Sequence, residues 1–110
     1  MTPSRRDLIP GLLDLLILKC LSIQEMHGYG IAQYIHAASR DVIRLQEGSL
    51  YPALQRMRQK GLIKAEWRTT ANKQRARYYT ITAKGRTQLG EDQAGFTELM
   101  TAVRRILRPV

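Results

Sequence analysis

The residues of this chain best equipped for chemistry lie in the run EGSLYPALQRMRQK, Glu47 to Lys60. The chemistry they offer is recognition of an anionic, hydrogen-bonding partner. No carboxylate occurs between Gly48 and Ala65, whereas Arg56, Arg58, Lys60 and Lys64 all do. Leu50, Ala53, Leu54 and Met57 recur at helical spacing and form one narrow apolar stripe. Pro52, Gln55, Arg56 and Gln59 fall on the opposite side, and Tyr51 and Arg58 flank the stripe. Gln55, Arg56 and Gln59 can each make paired hydrogen bonds to a purine edge, and Tyr51 and Pro52 can touch a thymine methyl. The pattern predicts a recognition helix, with Pro52 in a tolerant first turn and Gly61 closing the far end in a left-handed conformation.

Other reactive side chains are read as structural. His27 and His36 are nine residues apart, with no cysteine or carboxylate at ligand spacing, so they are taken as a turn histidine and a surface histidine, with no zinc site. Cys20, the one cysteine, sits in a leucine-rich run where a thiol behaves as a small apolar group. No internal disulfide can form, and this usage fits the cytoplasm. Asp14 lies inside the same apolar run, facing a solvent gap or capping a neighbouring backbone group. No nucleophile–base pair, metal cluster or phosphate-cradling glycine loop occurs, and HGYG lacks the strand that would have to precede it. Neither an enzyme nor a cofactor is expected.

Composition narrows the partner. The chain has 110 residues, enough for one modest core. Eighteen Lys and Arg against nine Asp and Glu leave a formal charge of +9, which points to a polyanion. That balance also suits a basic RNA- or ribosome-associated protein, which would need exposed aromatics for base stacking. Of Tyr78 and Tyr79, adjacent on a strand, one should face the core. The most apolar run, Leu12 to Leu18, is interrupted by Asp14 and is far short of the roughly 20 residues a membrane span requires. No membrane association and no signal peptide are expected.

The elements that must position the basic helix follow from periodicity. Residues 1–8 are polar and expected to fray unless a second subunit pins them. From Pro10, PGLLDLLILKCLS is apolar nearly all round and predicts a central core helix. Ser22 to Gly28 reads as a loop. YGIAQYIHAAS then predicts a short second helix, and residues 39–46 lead to the third, with a short strand at Val42 to Leu45. After Gly61 the period changes to two in LIKAEWR and ARYYTIT, which predicts a hairpin whose tip is TTANKQR. From Arg68 to Arg86 there are six cations and no anion. Trp67 is expected to pack on the core or the strands, or to line a pocket between subunits. Thr82 should cap a last helix. Within it Leu89, Phe96, Met100, Val103 and Leu107 recur at steps of 7, 4, 3 and 4, the seam of a helix lying along another. A helix from Ala83 to Leu107 would be about 37 Å long. That outreaches so small a core, so a second copy is the natural partner, and folding back on the first helix is the alternative. The fold class expected is mainly α with a β-hairpin wing: a winged helix-turn-helix over residues 1–82 and a C-terminal dimerisation helix over 83–110.

Four segments, GLLDLLILKCLS, HGYGIAQYI, EGSLYPALQRMRQKGLI and RARYYTITAKGR, resemble successive signatures of the PadR family of bacterial transcriptional regulators. The resemblance runs from about Gly11 to Leu89. It implies a homodimer that binds inverted-repeat double-stranded DNA and usually represses its target. By position, Ser49, Leu50, Tyr51 and Pro52 would begin the recognition helix, Tyr29 matches the tyrosine of the family's second helix, and the residues from Asn72 through Lys73 and Arg75 to Arg77 correspond to the wing. Long members carry a multi-helix C-terminal region. Only about 25 residues follow the wing here, as in the short subfamily. Some members respond to phenolic acids or flat hydrophobic drugs, which opens release by a small hydrophobic effector; no residue of this chain identifies one.

Overall fold

The computed structural model describes residues 11–109. The reading of residues 1–8 therefore lies outside the described residues. Four helices and three strands follow in the order α1 (Leu12–Ile23), β1 (Met26–His27), α2 (Gly28–Ala38), α3 (Glu47–Gln59), β2 (Ile63–Thr69), β3 (Arg75–Ile81) and α4 (Ala83–Leu107). This is the winged-helix architecture that the periodicities predict.

Helix α1 is the hub. Leu15, Ile17, Leu18, Cys20 and Leu21 are buried, and Leu12, Leu13 and Leu16 pack partly against the same cluster. Burial pushes the Cys20 thiol up to about 11 because the charged form would lose its water. Across from α1 lie Ile31 and Ile35 of α2 and Leu50, Ala53, Leu54 and Met57 of α3, the four residues read as the apolar stripe.

The helix ends have local causes. His27 caps α2 through its ring, Nδ1 accepting from the Gly30 amide at 2.9 Å. At the other end the Asp41 amide reaches the His36 carbonyl (2.9 Å) and the Arg40 amide reaches that of Ala37 (3.0 Å), with Arg40 left-handed at φ 52°. Helix α3 closes in the same way, Leu62 to Met57 and Gly61 to Arg58, and Gly61 takes φ 77° as its sequence position predicts. Because α3 begins at Glu47, Pro52 is its sixth residue and lies beyond the first turn. The amide it lacks would have bonded to the Gly48 carbonyl.

Two other readings are corrected. No strand forms over 42–45. Left-handed Arg40 and Asp41 turn the chain there, the Ser39 hydroxyl accepts from the Ile43 amide (3.0 Å), and Ile43 and Leu45 tuck against the core. A strand forms instead in the supposed loop after α1, where Met26 and His27 pair antiparallel with Tyr79 and Tyr78. The sheet order is β1-β3-β2, with β2 and β3 in register from Ile63↔Ile81 to Thr69↔Arg75.

Thr82 caps α4 as predicted. Its hydroxyl accepts from the Gly85 amide (3.0 Å), and its own amide donates to the Leu62 carbonyl (3.1 Å). That ties the start of α4 to the turn after α3. Leu89 joins the core and Phe96 packs partly against it, so the first half of α4 does lie on α1 of its own chain. The second half runs past the core, and the molecule measures 58 × 31 × 21 Å.

Candidate nucleic-acid interface

Once the apolar stripe of α3 is buried, geometry decides what remains outside. Ser49, Tyr51, Pro52, Gln55, Arg56 and Gln59 are exposed. Leu50 is 1% exposed and anchors the helix in the core, so its side chain cannot meet a partner; this corrects its placement among the contact residues. Gln55 Oε1 accepts from Arg58 Nη2 at 3.1 Å, which orients the amide and leaves its NH2 pointing outward.

Arg56 does not stand free. Its Nη2 donates to Asp14 Oδ1 at 2.6 Å, across to α1. Asp14 is therefore neither a backbone cap nor a carboxylate in a solvent gap. It anchors the flank of α3 that turns toward the core helix. Arg56 is about half exposed, so the pair contributes stability of roughly 0.2–1 kcal/mol. We expect Arg56→Ala to cost about that much in urea unfolding and to change DNA discrimination far less than Gln55→Ala; an equal loss of discrimination would return Arg56 to the reading face.

The other flank of α3 faces the wing. Tyr51 lies against Gly28 at the start of α2, where a β-carbon at position 28 would come within 2.7 Å of Tyr51 Cε1. Gly28 thus permits the close approach of α2 and α3. Tyr29 is exposed on the same side and stacks on His27, the ring centroids 6.4 Å apart. Between these residues and the wing lies an open cleft of about 700 Å³, lined also by Trp67, Asn72, Arg75 and Arg77.

The two faces of the hairpin differ in charge. On the outer face Arg68 is matched by two carboxylates: Glu25 on Nη1, and Glu66 on Nε at 2.8 Å. The hydrogen bond from Arg68 holds the Glu25 carboxyl below its usual range. Arg68 also covers the ring of Tyr78, 5.2 Å from its centroid, while Tyr79 is buried, so neither strand tyrosine is offered for stacking. On the inner face Arg75 and Arg77 meet no carboxylate among the described residues. Both lie over Trp67, at 5.5 and 5.8 Å from the ring centroid. Such contacts are worth about 0.5–1 kcal/mol each at exposed sites. Trp67 is 57% exposed, so it is not a core residue. Its packing is across strands, with Arg77 as its register partner. At the tip Asn72 accepts from the Thr70 hydroxyl (2.6 Å), and Lys73 is exposed in a left-handed conformation, φ 63°.

The residues read as a dimer seam separate. Leu89 is a core residue of its own chain, which corrects its assignment, and Phe96 divides its surface between α1 and solvent. Met100 and Val103 are half-exposed, and Leu107 is 75% exposed. Leu99 and Ile106, which sequence reasoning missed, are 49% and 81% exposed. Phe96, Leu99, Val103 and Ile106 recur at steps of 3, 4 and 3, a signal present in the sequence but hidden by the choice of a neighbouring stripe. Among the described residues no cluster of potential metal ligands occurs, and no helix is long and apolar enough to cross a membrane.

Residues 17–91 match the profile of the transcriptional regulator PadR-like family. The chain belongs to the PadR-like family. A transcriptional regulator of Mycobacterium tuberculosis is 36% identical over 87 residues, 79% of this chain and 78% of that protein. Among solved structures, a transcriptional regulator from Clostridium thermocellum superposes with a TM-score of 0.84 at 25% identity, covering 93% of this chain and 99% of that one. A PadR-like transcriptional regulator from Bacillus cereus gives 0.78 at 30% identity, covering 91% and 95%. The matched span of this PadR-like chain contains α3 and the whole hairpin.

Proposed function

We propose that this PadR-like regulator is a homodimer that binds an inverted-repeat DNA operator in the cytoplasm, represses by occupying it, and is released by a small hydrophobic effector. The observation that carries the DNA reading is the separation of charge in three dimensions. The carboxylates near the wing are spent on Arg68 at its outer face, and the inner face and α3 present cations and amides to the same side. A solvated surface mixes its signs; a surface that meets phosphate does not. Helix α3 enters the major groove with Ser49, Tyr51, Pro52, Gln55 and Gln59 toward the base edges. Tyr29 stands beside it, and the wing residues Asn72, Lys73, Arg75 and Arg77 engage the backbone. A second copy, joined along the distal half of α4, sets the half-sites one helical turn apart.

The test is fluorescence anisotropy with DNA from upstream of the protein's own coding region against a scrambled duplex, at physiological ionic strength. Equal affinity for the two would overturn sequence-specific binding. Gln55→Ala should weaken the operator by about tenfold or more and leave scrambled DNA unchanged, because base contacts carry specificity. Lys73→Ala should weaken both alike and lower the salt slope by about one, the signature of one lost phosphate contact.

A further inference from the structure

Trp67 is the sole indole of the chain and lies more than half exposed on the inner face of the wing. Its hairpin face begins in the core, at Ile63 and Tyr79, and leaves it before position 67. Apolar burial therefore does not explain the ring. What it holds are two guanidinium groups, from its register partner Arg77 and from Arg75 on the diagonal. Neither has a carboxylate partner among the described residues, and Arg77 Nε is enclosed with no acceptor. Two like charges brought to one ring repel each other, and a fork of donors without acceptors is incomplete. A phosphodiester placed between them would supply both the charge and the acceptors. The cleft across from Trp67, bounded by Tyr51 and Tyr29, is open on that side.

We propose that Trp67 is a positioning residue for DNA: its indole holds Arg75 and Arg77 ready for a backbone phosphate seated in the cleft between wing and recognition helix. The proposal rests on the DNA-binding reading above and adds to it a residue that acts through others. Without the ring the two arginines keep their charge and lose their orientation, so each must be ordered at the moment of binding.

The experiment is a double-mutant cycle on the full-length protein, read by anisotropy of labelled operator and of scrambled duplex. Trp67→Ala should weaken both duplexes by about tenfold, since phosphate contacts carry no sequence information. Trp67→Phe should restore most of the affinity, because a ring remains. In an Arg75→Ala/Arg77→Ala background, Trp67→Ala should have no further effect. Circular dichroism melts establish that each variant folds, and the emission of Trp67 in the wild-type protein should shift when operator is added. Three outcomes would overturn the proposal: wild-type affinity in Trp67→Ala, a full loss from Trp67→Ala that persists without the two arginines, or indole emission indifferent to bound operator. Failure of the wild-type protein to bind any duplex would instead remove the DNA-binding reading, and this proposal with it.

Discussion

Gly85→Ala should unfold this protein or come close to doing so. A β-carbon at position 85 would lie 2.1 Å from the backbone carbonyl oxygen of Leu62 and 2.8 Å from Ile81 Cγ1. The side chain of Ile81 can move, but the carbonyl cannot. It follows the left-handed turn that ends α3 and accepts the Thr82 amide at 3.1 Å, while the Thr82 hydroxyl caps the Gly85 amide. Relieving the clash means lifting α4 off the turn, which breaks that cap and withdraws Leu89 from the core. The expected cost is about 3 kcal/mol or more. Against a total stability of about 5–15 kcal/mol, that is a large share. Gly90→Ala is the control within the same helix. Its β-carbon would meet nothing within 4 Å. That variant should gain about 0.5–1 kcal/mol from helix propensity. Urea unfolding of the two variants should therefore move in opposite directions, and a Gly85→Ala midpoint close to wild type would show that α4 does not sit on Leu62 as described.

Nothing in the sequence marks Gly85. Gly85, Gly90 and Gly95 all read as weak points in a helical pattern, and only the approach of a carbonyl more than twenty residues upstream distinguishes the first. The same limit separates what sequence discloses from what it hides elsewhere. Local signals were legible because their causes are local. The stripe of α3 repeats within one helix, Gly61 ends it within one turn, and Thr82 caps α4 three residues ahead. The basic stretches were legible as counts of charge but not as an electric field. Asp14 lies 42 residues from Arg56, and Glu25 lies 43 from Arg68. Folding brings each carboxylate onto a cation that looks free on the line. One of those cations is Arg56, which the sequence offers as a base reader and the fold pairs with Asp14. Arg75 and Arg77 look no different from Arg68 until the hairpin register assigns them to opposite faces. Strand β1 was invisible for a related reason: two residues have no period, and Met26 and His27 are a strand only because Tyr79 and Tyr78 lie beside them.

The distal half of α4 supports the second large expectation. Replacing Leu99, Ile106 and Leu107 together by glutamine should convert a dimer into a folded monomer and lower operator affinity by about a hundredfold, since two linked half-sites gain that much by effective concentration alone. These positions suit the test because they contribute so little within one chain. Ile106 and Leu107 are 81% and 75% exposed, beyond the reach of the core that holds Leu89. Their loss should therefore leave the intrachain fold intact, and any change in assembly reports contacts between copies. Glutamine keeps helix propensity high and adds no charge, so neither fraying nor repulsion from DNA confuses the result. Apolar residues at such exposure, on a helix of about 37 Å attached to so small a core, need a covering surface. The same ridge on a second copy can supply it about a twofold axis, which would also place two α3 helices on one face of the duplex. Sedimentation velocity at micromolar concentration reads the outcome directly: a wild-type monomer would overturn the homodimer itself, and a variant that remains dimeric would move the interface away from α4.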